Sequence, residues 1–139
     1  MKEFLVVCVT LILCCVFVLQ YTGQQVLDYK MDKLQSEVNA AKAEAKIRGG
    51  LDGDDVLYLR NRIEDIFGPN SDPQVTFSPP PKYRQDFTDG PGDAGLIHYT
   101  ISVKINNIIT GAQFFGISAE DNSTTITIKG SVASELPRP

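Results

Sequence analysis

The chain is predicted to be α+β, with a long N-terminal membrane helix continuing into an amphipathic spine, a second short helix and a small antiparallel β-sheet. Three observations predict this. Phe4 to Leu19 is apolar throughout apart from Thr10. No proline and no glycine pair interrupts the sequence from there to Gly49-Gly50, so the apolar helix runs on into a polar one. Beyond Pro73 the spacing of apolar residues changes from helical to alternating. The expected organisation is 1–23 as a transmembrane anchor, 24–50 as the helical spine and 51–139 as a small extracytoplasmic domain.

The sixteen residues of the apolar run rise about 24 Å as a helix, short of the roughly 30 Å hydrocarbon core. Gln20, Tyr21 and Thr22 extend the span, and Tyr21 suits the membrane interface. A cleaved secretory signal has a similar apolar core, but Gln-Tyr-Thr-Gly-Gln-Gln after Leu19 offers no small-x-small cleavage site. A lipid-modified cysteine would need a small residue where Leu11-Ile12-Leu13 precedes Cys14. A retained anchor is therefore the favoured reading. Lys2 on one flank opposes Lys30 and Lys33 on the other, so charge alone does not orient the helix. All three cysteines (Cys8, Cys14, Cys15) lie inside the apolar run, which suits a thiol-free domain outside the cell membrane. They read as small apolar packers, with a disulfide through Cys8 or Cys15 across a helix pair as the alternative.

Leu27, Met31, Leu34, Val38, Ala41 and Ala45 alternate four and three residues apart and make one apolar seam. The seam predicts either a spine covered by the chain's own sheet or a parallel coiled coil in a dimer. Lys33 and Glu37, one turn apart, are the one favourable charge pair expected on its polar face. Gly49-Gly50 ends the helix, with Arg48 in the last turn. A second helix is predicted over Asp54 to Phe67. The cluster Asp52, Asp54 and Asp55 caps it, and Val56, Leu59, Ile63, Ile66 and Phe67 form its buried stripe. Arg60, Arg62, Glu64 and Asp65 are expected in solvent. Gly68-Pro69 stops it.

Three strands are predicted. Gln74 to Ser78 is short, and Ser78-Pro79-Pro80-Pro81 after it reads as an extended connector. Leu96 to Ile105 alternates cleanly, with Ile97, Tyr99, Ile101, Val103 and Ile105 inward and His98, Thr100, Ser102 and Lys104 outward. Thr124 to Val132 repeats the pattern with Ile126, Ile128 and Val132 inward. Such one-sided alternation indicates an antiparallel sheet with one wet face. Ile108 to Ile117, with Phe114-Phe115, is too apolar for an ordinary loop and reads as another strand or a helical turn tucked against the core. Ser134 to Pro139 reads as a loose tail.

Chemistry is thinly represented. The chain has 17 acidic against 13 basic residues and no basic stripe, which disfavours nucleic-acid binding. His98 is the single histidine and has no cysteine outside the apolar run to join it in a metal site or a catalytic pair. No Gly-x-Ser-x-Gly elbow or phosphate-cradling glycine loop occurs. Asp86, Asp89 and Asp93 lie in a turn-rich segment where calcium is the minority reading. Asn122-Ser123-Thr124 matches the N-glycosylation acceptor in a loop before a strand. No catalytic, cofactor or metal residue is predicted, and the chain is not expected to be an enzyme.

The order of parts resembles a type IV pilin-type subunit. Ala41-Lys42-Ala43-Glu44-Ala45-Lys46-Ile47-Arg48-Gly49-Gly50, the short helix after it and Tyr99-Thr100-Ile101-Ser102-Val103 narrow the resemblance to TadE-like pseudopilins of the tight-adherence pilus. Glu3 stands near the apolar helix but outside it, whereas pilins carry a Glu within its start. The resemblance implies a pilin-like fold and a role in assembling a surface pilus or secretion apparatus. It implies self-association through the membrane helix (Phe4, Leu5, Val9, Leu13, Val16, Leu19) and, as partners, other pilin or pseudopilin subunits and their assembly machinery. The expected location is the cell membrane, single-pass with the domain outside, or surface filaments. A static bitopic scaffold dimerising through residues 27–45 is the alternative, and a membrane-tethered ligand-binding domain a third.

Overall fold

Apolar and amphipathic stretches fuse into one helix, α1 (Lys2–Arg48), of 47 residues. At 1.5 Å per residue it is about 70 Å long. The computed structural model describes residues 1–84 and 95–139. After α1 come α2 (Gly53–Phe67), β1 (Gln74–Phe77), β2 (Leu96–Asn106), a short 3₁₀ helix (Ala112–Phe115) and β3 (Ser123–Ala133). The architecture is α+β. Asp86, Asp89 and Asp93, the calcium candidates, lie outside the described residues.

Gly49 ends α1 because the chain must turn left-handed there. Its φ is 77°, and the N–H groups of Gly49 and Gly50 both reach the carbonyl of Ala45, satisfying an orphan acceptor at the helix end. A Cβ at Gly49 would also run into the carbonyl oxygen of Lys82, whose own N–H donates to the Gly49 carbonyl at 2.8 Å. The glycine pair thus stops the helix and docks the connector that follows β1.

α2 starts at Gly53, with Val56 N–H bonded to the Asp52 carbonyl at 3.0 Å. Asp52 occupies the cap position, but its side chain makes no capping hydrogen bond. The first-turn charge comes from Asp54 and Asp55, and Asp55 accepts from Arg48 at 2.9 Å, tying the two helices at their junction. Leu59 and Ile63 are buried, with Val56 and Phe67 partly so.

The sheet has the order β1-β2-β3 and is antiparallel throughout. Phe77 pairs with Tyr99, and Tyr99 with Gly130. β2 is central, and its inward residues Ile97, Tyr99, Ile101, Val103 and Ile105 are all buried, while His98 and Lys104 are exposed. At the edge, Ile126, Ile128 and Val132 of β3 face inward but are only half-buried. Tyr99 explains the glycine opposite it. A Cβ on Gly130 would overlap the Tyr99 ring, which stacks on Phe77 at 5.5 Å and receives Lys42 Nζ at 5.7 Å. On the wet face Ser102 and Thr127 hydroxyls meet at 3.0 Å.

One core lies between the helices and the inner face of the sheet. α1 contributes Leu34, Val38 and Ala45, α2 contributes Leu59 and Ile63, and the sheet contributes Phe77, Ile97, Tyr99, Ile101 and Val103. α2 lies over β1 and α1 over β3.

Three expectations need correction. Glu37 does not pair with Lys33: it accepts from Arg62 of α2 at 2.7 Å, and Lys33 lies over the Tyr29 ring at 5.3 Å. Arg62 stays exposed, as expected, and also bridges the two helices, whereas Glu44 and Arg48 form the one-turn pair on α1 at 2.9 Å. Ser134 to Pro139 is not loose at its start. Ser134 is buried and donates its hydroxyl to the Lys82 carbonyl, and Glu135 bonds Lys46 through both backbone N–H and carboxylate. The connector after β1 is pinned too, since Arg84 N–H donates to the Leu136 carbonyl at 2.7 Å.

The third concerns Ile108 to Ile117. Of the two alternatives it holds the helical turn, a 3₁₀ helix, but only Ala112 of that helix is buried. Phe114 and Phe115 point outward, 93% and 63% exposed.

Candidate functional site: the exposed helix and the cleft beside it

α1 divides into two environments. Residues 1–26 make few contacts with the rest of the chain, and the most apolar stretch has a mean hydropathy of 2.7 with none of it buried. Phe4, Leu5, Val9, Leu13 and Leu19 are exposed, and Val16 and Cys8 are half-buried. The helix is long and apolar enough to cross a membrane once, a property shared by anchors and signal sequences. Its two threonine hydroxyls are already satisfied: Thr10 donates to the Val6 carbonyl and Thr22 to that of Val18, each at 2.9 Å. The three cysteines are free thiols, Cys14 and Cys15 exposed.

The seam behaves differently. Leu34, Val38 and Ala45 are buried by the chain's own sheet and α2, and Met31 and Ala41 pack partly against them. Leu27, the first seam residue, instead lines a cleft of about 610 Å³ between α1 and the near end of the sheet. The opposite wall is built from Ile105, Ile109, Ala112 and Ile117, and Asn122 closes it.

Asn122 is 4% exposed. Its carboxamide oxygen accepts from Ile109 N–H at 2.7 Å and its nitrogen donates to the Ile109 carbonyl at 3.0 Å. The acceptor nitrogen of the glycosylation motif is therefore engaged in holding the 108–122 loop, not displayed to solvent. The same loop is tied to α1, because Thr110 N–H donates to Gln20 Oε1 at 3.3 Å. At Gly23 the helix has no side chain, and a Cβ there would overlap Thr110 Oγ1.

The sequence did not single out this cleft. Its one legible signal is the absence of charge from Asn106 to Ser118. Everything else about it comes from contacts between Gln20 and Thr110 that no periodicity records.

Two of the exposed bridges perturb the groups that form them. The Glu37 carboxylate, through a hydrogen bond and then its charge, raises the Arg62 guanidinium further above its ordinary value. Lys46 does the reverse to Glu135, holding its carboxyl below the usual range by the same two effects. Among the described residues no three His, Cys, Asp or Glu side chains gather closely enough to hold a metal ion. His98 sits on the wet face, its backbone bonded to Ser78.

No protein-family model, curated protein or solved structure matches this chain.

Proposed function

We propose that the chain is a pilin-like or pseudopilin subunit. It is held in the cell membrane by the N-terminal half of α1, with its domain outside, and acts in the assembly of a surface pilus or secretion apparatus. One observation carries the reading: the two halves of a single helix have opposite partners. Leu34, Val38 and Ala45 are covered by the chain's own domain, whereas Phe4 to Leu19 is apolar on every face and uncovered. A helix apolar all round needs lipid or other helices around it. A subunit that leaves the bilayer to bundle with its copies exchanges one for the other without disturbing the domain.

The spine supports this over the static scaffold. A coiled coil through residues 27–45 would have to use seam residues that already fill the core. The continuous helix across Leu19 to Leu27 supports a retained segment over a cleaved signal. Partners in this reading are further pilin or pseudopilin copies and the machinery that extracts them.

Crosslinking tests it. In cells expressing the full chain, a short bismaleimide joins copies through Cys8, Cys14 or Cys15. With those three replaced by Ser, a cysteine at Leu34 yields no crosslinked pair. Efficient crosslinking at Leu34 and none at the native cysteines would overturn the assembly reading in favour of a dimeric scaffold.

A further inference from the structure

We infer that the loop from Ile108 to Ile117 is a second membrane contact, which seats Phe114 and Phe115 in the boundary between lipid headgroups and acyl chains. The inference rests on the anchoring reading above and adds to it a fixed posture of the domain against the bilayer.

Height along α1 is the first argument. Thr110 bonds to Gln20, and Gln20 directly follows Leu19, the last residue of the apolar run. A helix rises only about 1.5 Å per residue, so the loop meets α1 where the hydrocarbon region ends. Leu19, at the end of the apolar run, and Ala112 and Gln113 of the 3₁₀ helix line the same cleft.

Chemistry is the second. From Asn106 to Ser118 the chain has no charged residue, so nothing there resists entry into the interface. Among the described residues outside α1, Phe114 and Phe115 are the most exposed adjacent aromatic pair, and Ile108 and Ile109 add partly exposed apolar surface. Exposed phenylalanines on a domain in water cost hydration, whereas at a bilayer surface they are buried roughly 5–10 Å deep among headgroups and upper acyl chains.

Rigidity is the third. Gly111 and Gly116 bracket the turn at φ values of 77° and 72°, and the Asn122 carboxamide clamps Ile109 from behind. Thr110 sits against Gly23 of α1. The aromatic tip is therefore presented by a braced loop and not by a free one. While the subunit is held in the bilayer, the Gln20–Thr110 contact sets this tip at the end of the apolar run, where lipid is the occupant.

The chain contains no Trp, so one introduced residue reports alone. The full-length Phe114→Trp variant is reconstituted in phosphatidylcholine–phosphatidylglycerol vesicles and exposed to brominated acyl chains or to aqueous iodide. Phe17→Trp on the apolar helix and Tyr58→Trp on α2 serve as lipid and water references. The inference predicts blue-shifted Phe114→Trp emission, quenched by bromines near the headgroups and resistant to iodide, as for Phe17→Trp and unlike Tyr58→Trp. Iodide quenching without lipid quenching at 114, while position 17 is quenched by lipid, overturns the inference and leaves the anchor intact. Lack of lipid quenching at position 17 overturns both. Shielding at 114 from both quenchers that disappears on dilution in lipid also overturns it, and assigns the loop to contact between copies.

Discussion

The side chain of Asn122 meets both backbone groups of Ile109, accepting at 2.7 Å and donating at 3.0 Å, in a site 4% exposed. This one residue stands in for a strand partner and closes the loop that reaches α1. Asn122→Ala leaves the Ile109 N–H without its partner, at a cost of at most about 1–3 kcal/mol, while the Ile109 carbonyl keeps the Ala112 N–H at 3.3 Å. Thermal unfolding of the full chain in detergent micelles should show the loss. Amide exchange should speed up at Ile109 and Thr110 before it does in β2. A variant with unchanged stability and exchange would contradict the clamp.

Seam burial separates the two halves of α1 energetically. Leu34→Ala removes a fully buried side chain and should destabilise the domain by about 2–5 kcal/mol. Leu11→Ala, on the exposed half, should leave the unfolding of the domain unchanged in the same micelles. Equal effects at the two positions would show that the division of α1 is wrong.

Gly49→Ala meets two penalties, a left-handed backbone and a collision with the Lys82 carbonyl. The conformational part alone is about 1 kcal/mol. The contrast is Gly53→Ala, where a Cβ meets nothing within 4 Å and the residue is helical. That change should be neutral or stabilising, so the ranking of the two variants by chemical denaturation is the check.

Acid should release the C-terminal segment. Lys46 holds the Glu135 carboxyl below its ordinary range, so the folded state binds the proton less readily than the unfolded chain. The stabilising contribution is complete above the ordinary glutamate range, near 4.3, and is lost as pH falls through the lowered folded value. Exchange at the Glu135 and Arg84 amides, which bond Lys46 and Leu136, should accelerate over that window. Glu135→Gln should remove the pH dependence while leaving β2 protected.

Much of the fold was legible because burial leaves a period. Ile97 to Ile105 alternates over a central strand that is wet on one face only, and the Leu27–Ala45 seam follows the helix repeat. Contacts between distant segments leave no such trace. Lys46 with Glu135, Arg62 with Glu37 and Asn122 with Ile109 each involve polar residues ordinary on a surface, so the docked tail and the bridge between helices could not be read. The helical turn within 108–117 was one of the two readings its apolarity allowed, but apolarity alone does not tell whether Phe114 and Phe115 face inward or outward. The exposed apolar half of α1 was legible from composition, and the cleft beside it was not.

The central claim is that Phe4 to Leu19 changes partners from lipid to copies of itself. Shearing cells that express the full chain, then immunoblotting the sheared and membrane fractions, tests it most directly. The account predicts full-length chain, residues 4–19 included by intact mass, in the sheared filament fraction as well as in the membrane. Recovery from detergent-released membranes alone, under conditions where the cells carry the assembly machinery, would contradict it.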